Sequence, residues 1–171
     1  MMDKIIWTIG HSNRSISDFT DILKHYKIEV LADVRSLPGS NKYPWFNSDY
    51  LSEFLKKNDI KYIHIKELGG LRANKSKEIN NWKNKSFQAY ANHVYSDEFM
   101  KGINILLENA SKYRVAIMCS EVLWWRCHRS IIADFMKSIG WEVINIFDIN
   151  KSEVHPYTSV ARIVNGKLTY K

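Results

Sequence analysis

Ile5-Ile-Trp-Thr-Ile9 is an apolar run closed by Gly10, and it predicts a first strand. Ser15 with Asp18 three positions on has the form of a helix start, and Phe19, Ile22, Leu23 and Tyr26 follow at helical spacing. Val30-Leu-Ala-Asp-Val34 is a second, nearly continuous apolar strand. Residues 49–57 predict a helix with Tyr50, Leu51, Phe54 and Leu55 on one face, and residues 60–65 a third strand. Residues 87–94 and 98–109 read as helices separated at Ser96-Asp97, and residues 113–118 as a fourth strand. A helix over residues 128–139 stops at Gly140, where glycine is favoured just past a helix end, and residues 142–146 give a fifth strand. Residues 160–164 and 167–170 flank Asn165-Gly166, a pair suited to a type I′ turn, and so predict a closing hairpin.

Strands alternating with helices predict an α/β fold with a parallel sheet covered on both faces. Five such units are too few for an eight-fold barrel. The expected architecture is a single domain over residues 1–171. It holds an open, Rossmann-like, mostly parallel five-stranded sheet with helices on both faces, plus the C-terminal hairpin. No internal repeat or interdomain linker is visible.

Composition narrows the function classes. A hydrophobic content of 45% supports a real core and argues against disorder. No apolar stretch approaches the roughly 20 residues that span a bilayer, so no membrane partner is expected. The first residues lack the apolar region and cleavage site of a signal peptide. With two cysteines and no export signal, free thiols in a cytoplasmic protein are the expectation. A net charge of +7 favours an anionic small molecule or nucleic acid as partner, although a Lys-rich composition produces the same excess without function. The densest excess, residues 72–85 with five basic residues and one acid, reads as a solvated loop.

Ligands of open parallel sheets bind beyond the carboxyl ends of the strands. Polar clusters fall at that edge: Gly10-His-Ser-Asn-Arg14, Asp33-Val-Arg35, Glu67-Leu-Gly-Gly-Leu-Arg72, Cys119-Ser-Glu121 and Cys127-His-Arg129. Glu121 and Asp33 are candidate acid–base groups, with His11 as an auxiliary. Arg35, Arg72 and Arg129 suit a phosphate or carboxylate, and Ser12, Gly69 and Gly70 are candidate binding positions in the same loops. Each has a structural alternative: Asp33 with Arg35 as an ion pair, Glu121 with Arg129 likewise, and the turn after Gly10 as an ordinary capped helix start. Aromatic Tyr43-Pro-Trp-Phe46 could stack on a planar group or pack on the sheet edge, and Trp124-Trp125 poses the same choice.

Cys127, flanked by Arg126, His128 and Arg129 at a helix start, is either a nucleophile with a lowered pKa or a small packing residue. From Cys119 to Arg126 there are six intervening residues, so the five-residue phosphatase spacing fails. Cys119, Cys127 and His128 lack a short Cys-x-x-Cys pair, so no metal site is expected from them, and the sequence leaves the cofactor unknown.

Thr8-Ile-Gly-His-Ser12, Asp33-Val-Arg35 with Pro38, Leu68-Gly-Gly70, Cys119-Ser-Glu121, Cys127-His-Arg129 and His155-Pro156 together resemble the domain of unknown function 488 family. Ser120 stands where that family usually has Ala. The resemblance implies a compact, mostly prokaryotic cytoplasmic domain whose loops act as a set, and it implies no particular activity. The residues themselves support three readings. The first is a hydrolase cleaving an N-glycosidic or phosphoester bond in a nucleotide-like substrate, the second thiol chemistry at Cys127, and the third a non-catalytic nucleic-acid-binding module.

Overall fold

Alternate residues of the first strand, β1 (Ile5–Gly10), serve opposite faces of one sheet, Trp7 and Ile9 on one side and Ile6 on the other. The computed structural model describes residues 3–72 and 78–171. After β1 come α1 (Ile16–His25), β2 (Val30–Asp33), α2 (Ser48–Lys57), β3 (Lys61–His64), α3 (Lys85–His93) and α4 (Asp97–Ala110). Then follow β4 (Val115–Cys119), α5 (Arg129–Ser138), β5 (Glu142–Asp148), β6 (Lys151–Val154), β7 (Arg162–Val164) and β8 (Lys167–Thr169).

The sheet runs β3-β2-β4-β1-β5-β6, with every neighbouring pair parallel except β5–β6. Helices α1 and α2 cover one face through Phe19, Ile22, Leu23, Leu51 and Leu55. Helices α3, α4 and α5 cover the other through Tyr90, Phe99, Ile103, Leu106, Ile132 and Met136. Burial of each large apolar side chain contributes about 1.5–3 kcal/mol, so both layers are needed to hold the sheet. No helix among the described residues is long and apolar enough to cross a membrane.

The five expected parallel strands are present, and β6 is a sixth, antiparallel one. All four β6 residues are exposed, so the strand has no alternating apolar face to betray it in the sequence. The closing hairpin forms as expected: β7 pairs with β8, and Asn165 (φ 53°) and Gly166 (φ 77°) supply the two positive φ angles of the turn. Ser15 Oγ accepts the Asp18 N–H at 3.0 Å, and Gly140 (φ 97°) follows α5. Residues 73–77 of the Lys-rich stretch lie outside the described residues.

The order of the sheet fixes where a ligand can enter. Strands β4 and β1 are neighbours, but the chain leaves β1 for α1 on one face and leaves β4 for α5 on the other. Their following loops therefore diverge and open a crevice beyond the strand ends.

Candidate active site

The two diverging loops begin as an extension of the sheet. His11 N–H donates to Cys119 O and Ser12 N–H to Ser120 O, both at 2.9 Å. The chain beyond Ser120 then folds back over Gly10. A Cβ on Gly10 would lie 1.7 Å from Glu121 O, so only glycine permits this approach.

The crevice is a cleft of about 1040 Å³. Four loops reach it: His11 and Ser12 after β1, Arg35 and Ser36 after β2, Gly70 and Leu71 beyond β3, and residues 119–123 after β4. Arg126, Cys127 and His128 close it at the start of α5, and Lys42, Tyr43 and Phe87 stand at its sides. The fold thus gathers His11, Ser12, Arg35, Gly70, Glu121 and Cys127 at one hollow. Asp33, Gly69, Arg72 and Arg129 are not among its lining residues.

Asp33 is fully buried behind the cleft wall. Its Oδ1 accepts from Arg35 N–H and Nε–H at 3.0 Å, and its Oδ2 accepts from Arg35 Nη2 at 2.7 Å and Tyr62 O–H at 2.6 Å. Burial, then the neighbouring Asp33 carboxylate, raise the Tyr62 pKa, so its proton stays in place. Arg35 also donates to Phe46 O at 2.8 Å. Its remaining Nη1 faces His11 Nε2 at 3.3 Å. An arginine can only donate there, so Nε2 is the acceptor and the opposite nitrogen, Nδ1, donates to Ser12 O at 2.8 Å. The His11 ring is stacked on Phe46 with centroids 4.2 Å apart. Burial lowers its pKa to about 4, and nearby Arg35 adds to the effect. Both His11 nitrogens are occupied and the ring is neutral near pH 7, an arrangement that holds Arg35 at the cleft wall.

Arg129 is also fully buried. Its guanidinium donates to Glu121 O, to Val122 O at 3.0 Å and to Cys119 Sγ, and so pins the loop that bears Glu121. Its Nε donates to Thr8 Oγ1 at 3.2 Å, which starts a one-way chain of hydrogen bonds. Thr8 O–H donates to Asn145 Oδ1 at 2.6 Å, Asn145 Nδ2 to His155 Nδ1 at 2.9 Å, and His155 Nε2–H to Asp134 Oδ1 at 2.9 Å. Asp134 further accepts from Thr158 N–H at 3.0 Å, Thr158 O–H at 2.5 Å and Tyr170 O–H at 2.7 Å. Arg129 and Asp134, both buried, are thus joined through three side chains, each donor meeting an acceptor. Arg72 plays a similar bracing part outside the cleft. It donates to Gly69 O at 3.1 Å and Glu67 O at 2.8 Å, and pairs with Glu98 at 2.8 Å. Gly69 packs so closely that a Cβ there would be 2.4 Å from Ser36 Oγ.

Two groups facing the cleft keep their chemistry available. The exposed Glu121 carboxylate makes no ion pair or hydrogen bond among the described residues. Cys127 Sγ accepts Arg129 N–H at 3.5 Å and lies 3.5 Å from His128 Nδ1. His128 Nε2–H donates to Val34 O at 2.9 Å, which leaves Nδ1 as the acceptor facing the thiol. The imidazole is further held against the Tyr90 ring (5.0 Å) and Gly70, where a Cβ would come within 2.6 Å of Nδ1. Burial opposes ionisation of the Cys127 thiol, but the adjacent Cys119 thiol and the Arg129 guanidinium and amide outweigh it, and the pKa falls below the ordinary value. Burial and the neighbouring Cys127 raise the Cys119 thiol. No group of three or more His, Cys, Asp or Glu among the described residues could hold a metal ion.

The aromatic loop after β2 divides. Tyr43 faces the cleft, Phe46 is buried under His11, and Trp45 Nε1 donates to Arg14 O at 2.8 Å. Sequence reasoning did not single out Asp134, Asn145 or Thr158. A carboxylate inside the apolar run Ile131-Ile-Ala-Asp-Phe-Met136 was the available signal for the first of them.

Fold and site together define an α/β protein with a thiol-bearing, partly basic cleft at the switch point of a parallel sheet. The model of the family described as Domain of unknown function DUF488 matches residues 15–136, and the chain belongs to that family. No curated protein and no solved structure matches the chain.

Proposed function

We propose that the cleft is the active site of a hydrolase that acts by double displacement on an anionic, nucleotide-like substrate, with Cys127 as nucleophile. The observation that carries this reading is the placing of Cys127 Sγ within 3.5 Å of both the His128 Nδ1 acceptor and a helix-terminal N–H, on the wall of an open cleft. Arg35, Lys42 and Arg126 line the same cleft and suit a phosphate, and Tyr43 and Phe87 offer faces for a base.

In the first step the thiolate sulfur forms a bond to the reacting carbon or phosphorus, and the bond to the leaving group breaks. In the second, Glu121 takes a proton from water. The oxygen attacks the same atom, the bond to sulfur breaks, the thiolate returns, and the proton held by Glu121 passes to the departed leaving group. Asp33 and His11 hold Arg35 in place in this scheme, and Arg129 holds the Glu121 loop.

The test is turnover of the full chain on nucleoside monophosphates and short oligonucleotides, read as released base or phosphate. Cys127→Ser should reduce turnover at least about a hundredfold, and Glu121→Gln should leave a covalent adduct visible by intact mass. A folded Cys127→Ser protein with undiminished turnover would overturn the assignment.

A further inference from the structure

Cys119 and Cys127 are both free, and both line the cleft. Cys119 ends β4 and Cys127 stands just before α5, and the intervening residues 120–126 bring the chain back on itself. Arg129 touches both sulfurs, with its backbone N–H on Cys127 Sγ and its guanidinium on Cys119 Sγ. The two positions differ in access: Cys127 is 8% exposed and beside His128, whereas Cys119 is 2% exposed and lies deeper.

We propose that this pair is a site of reversible oxidation, in which hydrogen peroxide entering the cleft joins Cys119 to Cys127 as an intramolecular disulfide. The proposal rests on the reading of Cys127 as the reactive group of the cleft and adds a second thiol and a regulatory outcome to it. Peroxide entering the cleft meets the more exposed Cys127 before the deeper Cys119. That asymmetry suits an attacking and a resolving partner.

The Cys127 thiolate attacks one peroxide oxygen. The O–O bond breaks, a sulfenic acid forms, and the departing hydroxide takes up a proton to become water. Cys119 sulfur then displaces the sulfenic hydroxyl, which leaves with the Cys119 proton as a second water. The two sulfurs lose two electrons and the peroxide gains them. Arg129 stays beside the Cys119 sulfur as it becomes the nucleophile. A thiol reductant reverses the bond, and while it persists the cleft has no nucleophile.

The experiment exposes the full chain to stoichiometric hydrogen peroxide and follows thiol titre and intact mass. The expected result is loss of both titratable thiols and of two hydrogens in mass, restored by dithiothreitol. Trypsin cleaves after Arg126, so the digest should contain one disulfide-linked pair of peptides carrying Cys119 and Cys127. In Cys119→Ser, or Cys119→Ala if the serine protein does not fold, dimedone should instead trap a sulfenic acid on Cys127. Addition of oxygen to the wild-type chain without loss of hydrogens, a disulfide between two chains, or two unchanged thiols would each overturn the proposal. None of these readouts depends on turnover, so a failure of the hydrolase reading is seen separately.

Discussion

Replacing Asp134 by asparagine tests the buried chain that reaches from α5 to the cleft. The carboxylate accepts four hydrogen bonds, from His155, Thr158 N–H, Thr158 O–H and Tyr170. An amide of the same shape keeps its oxygen on His155 and the Thr158 N–H and turns its NH2 onto the Thr158 and Tyr170 hydroxyls, which can rotate to accept but leave their own two O–H protons without this acceptor. At about 1–3 kcal/mol for each orphaned buried donor, the cost is about 2–6 kcal/mol. For a chain of this length each kcal/mol lowers Tm by about 2–4 °C, so a fall on the order of 10 °C is expected. Thr158→Val and Tyr170→Phe remove one hydroxyl donor each and leave the carboxylate with its other partners, so each should cost only about 1 kcal/mol. Thermal unfolding followed by calorimetry or circular dichroism reads all three. An Asp134→Asn protein within about 2 °C of the wild type would show that these contacts are not jointly made in solution.

Other outcomes follow from the same geometry. The His11 pKa is depressed from 6.5 to about 4, so the unfolded chain takes up this proton at a higher pH than the native one. The associated stability is fully present above pH 6.5 and is lost as pH falls toward 4, by about 3 kcal/mol in all. Denaturant midpoints at intervals of pH measure it, and the slope should lessen in His11→Gln; an equal slope in both proteins would refute the assignment. Gly70→Ala places a methyl group 2.6 Å from His128 Nδ1, so it should displace the imidazole and slow alkylation of Cys127 while leaving the chain folded. An unchanged alkylation rate with an unchanged circular dichroism spectrum would mean that His128 does not act on the thiol.

The sheet was legible because β1, β2 and β4 are apolar runs buried on both faces, and Asn165-Gly166 announced its own turn. Strand β6 escaped because Lys151-Ser-Glu-Val154 is wholly exposed. The gathering of His11, Arg35, Glu121 and Cys127 was legible too, since the first three follow strand ends at the same edge and Cys127 stands before the helix that follows β4. The division of labour was not. The sequence leaves Asp33 between a reactive role and an ion pair with Arg35 and offers Arg129 to an anionic substrate; burial and hydrogen bonding show how fully each is engaged inside the protein. Conversely, Cys127 reads first as a packing residue in the sequence, and the structure places His128 Nδ1 and the Arg129 amide beside its sulfur.

The most direct test of the account is the rate of Cys127 alkylation by iodoacetamide as a function of pH, in the wild type and in Cys119→Ala, which removes the thiol that most lowers the Cys127 pKa. The account predicts reaction at one thiol, with a midpoint clearly below the ordinary cysteine value of about 8.5 and a higher midpoint in the variant. A wild-type midpoint at or above that value, or preferential labelling of Cys119, would contradict it.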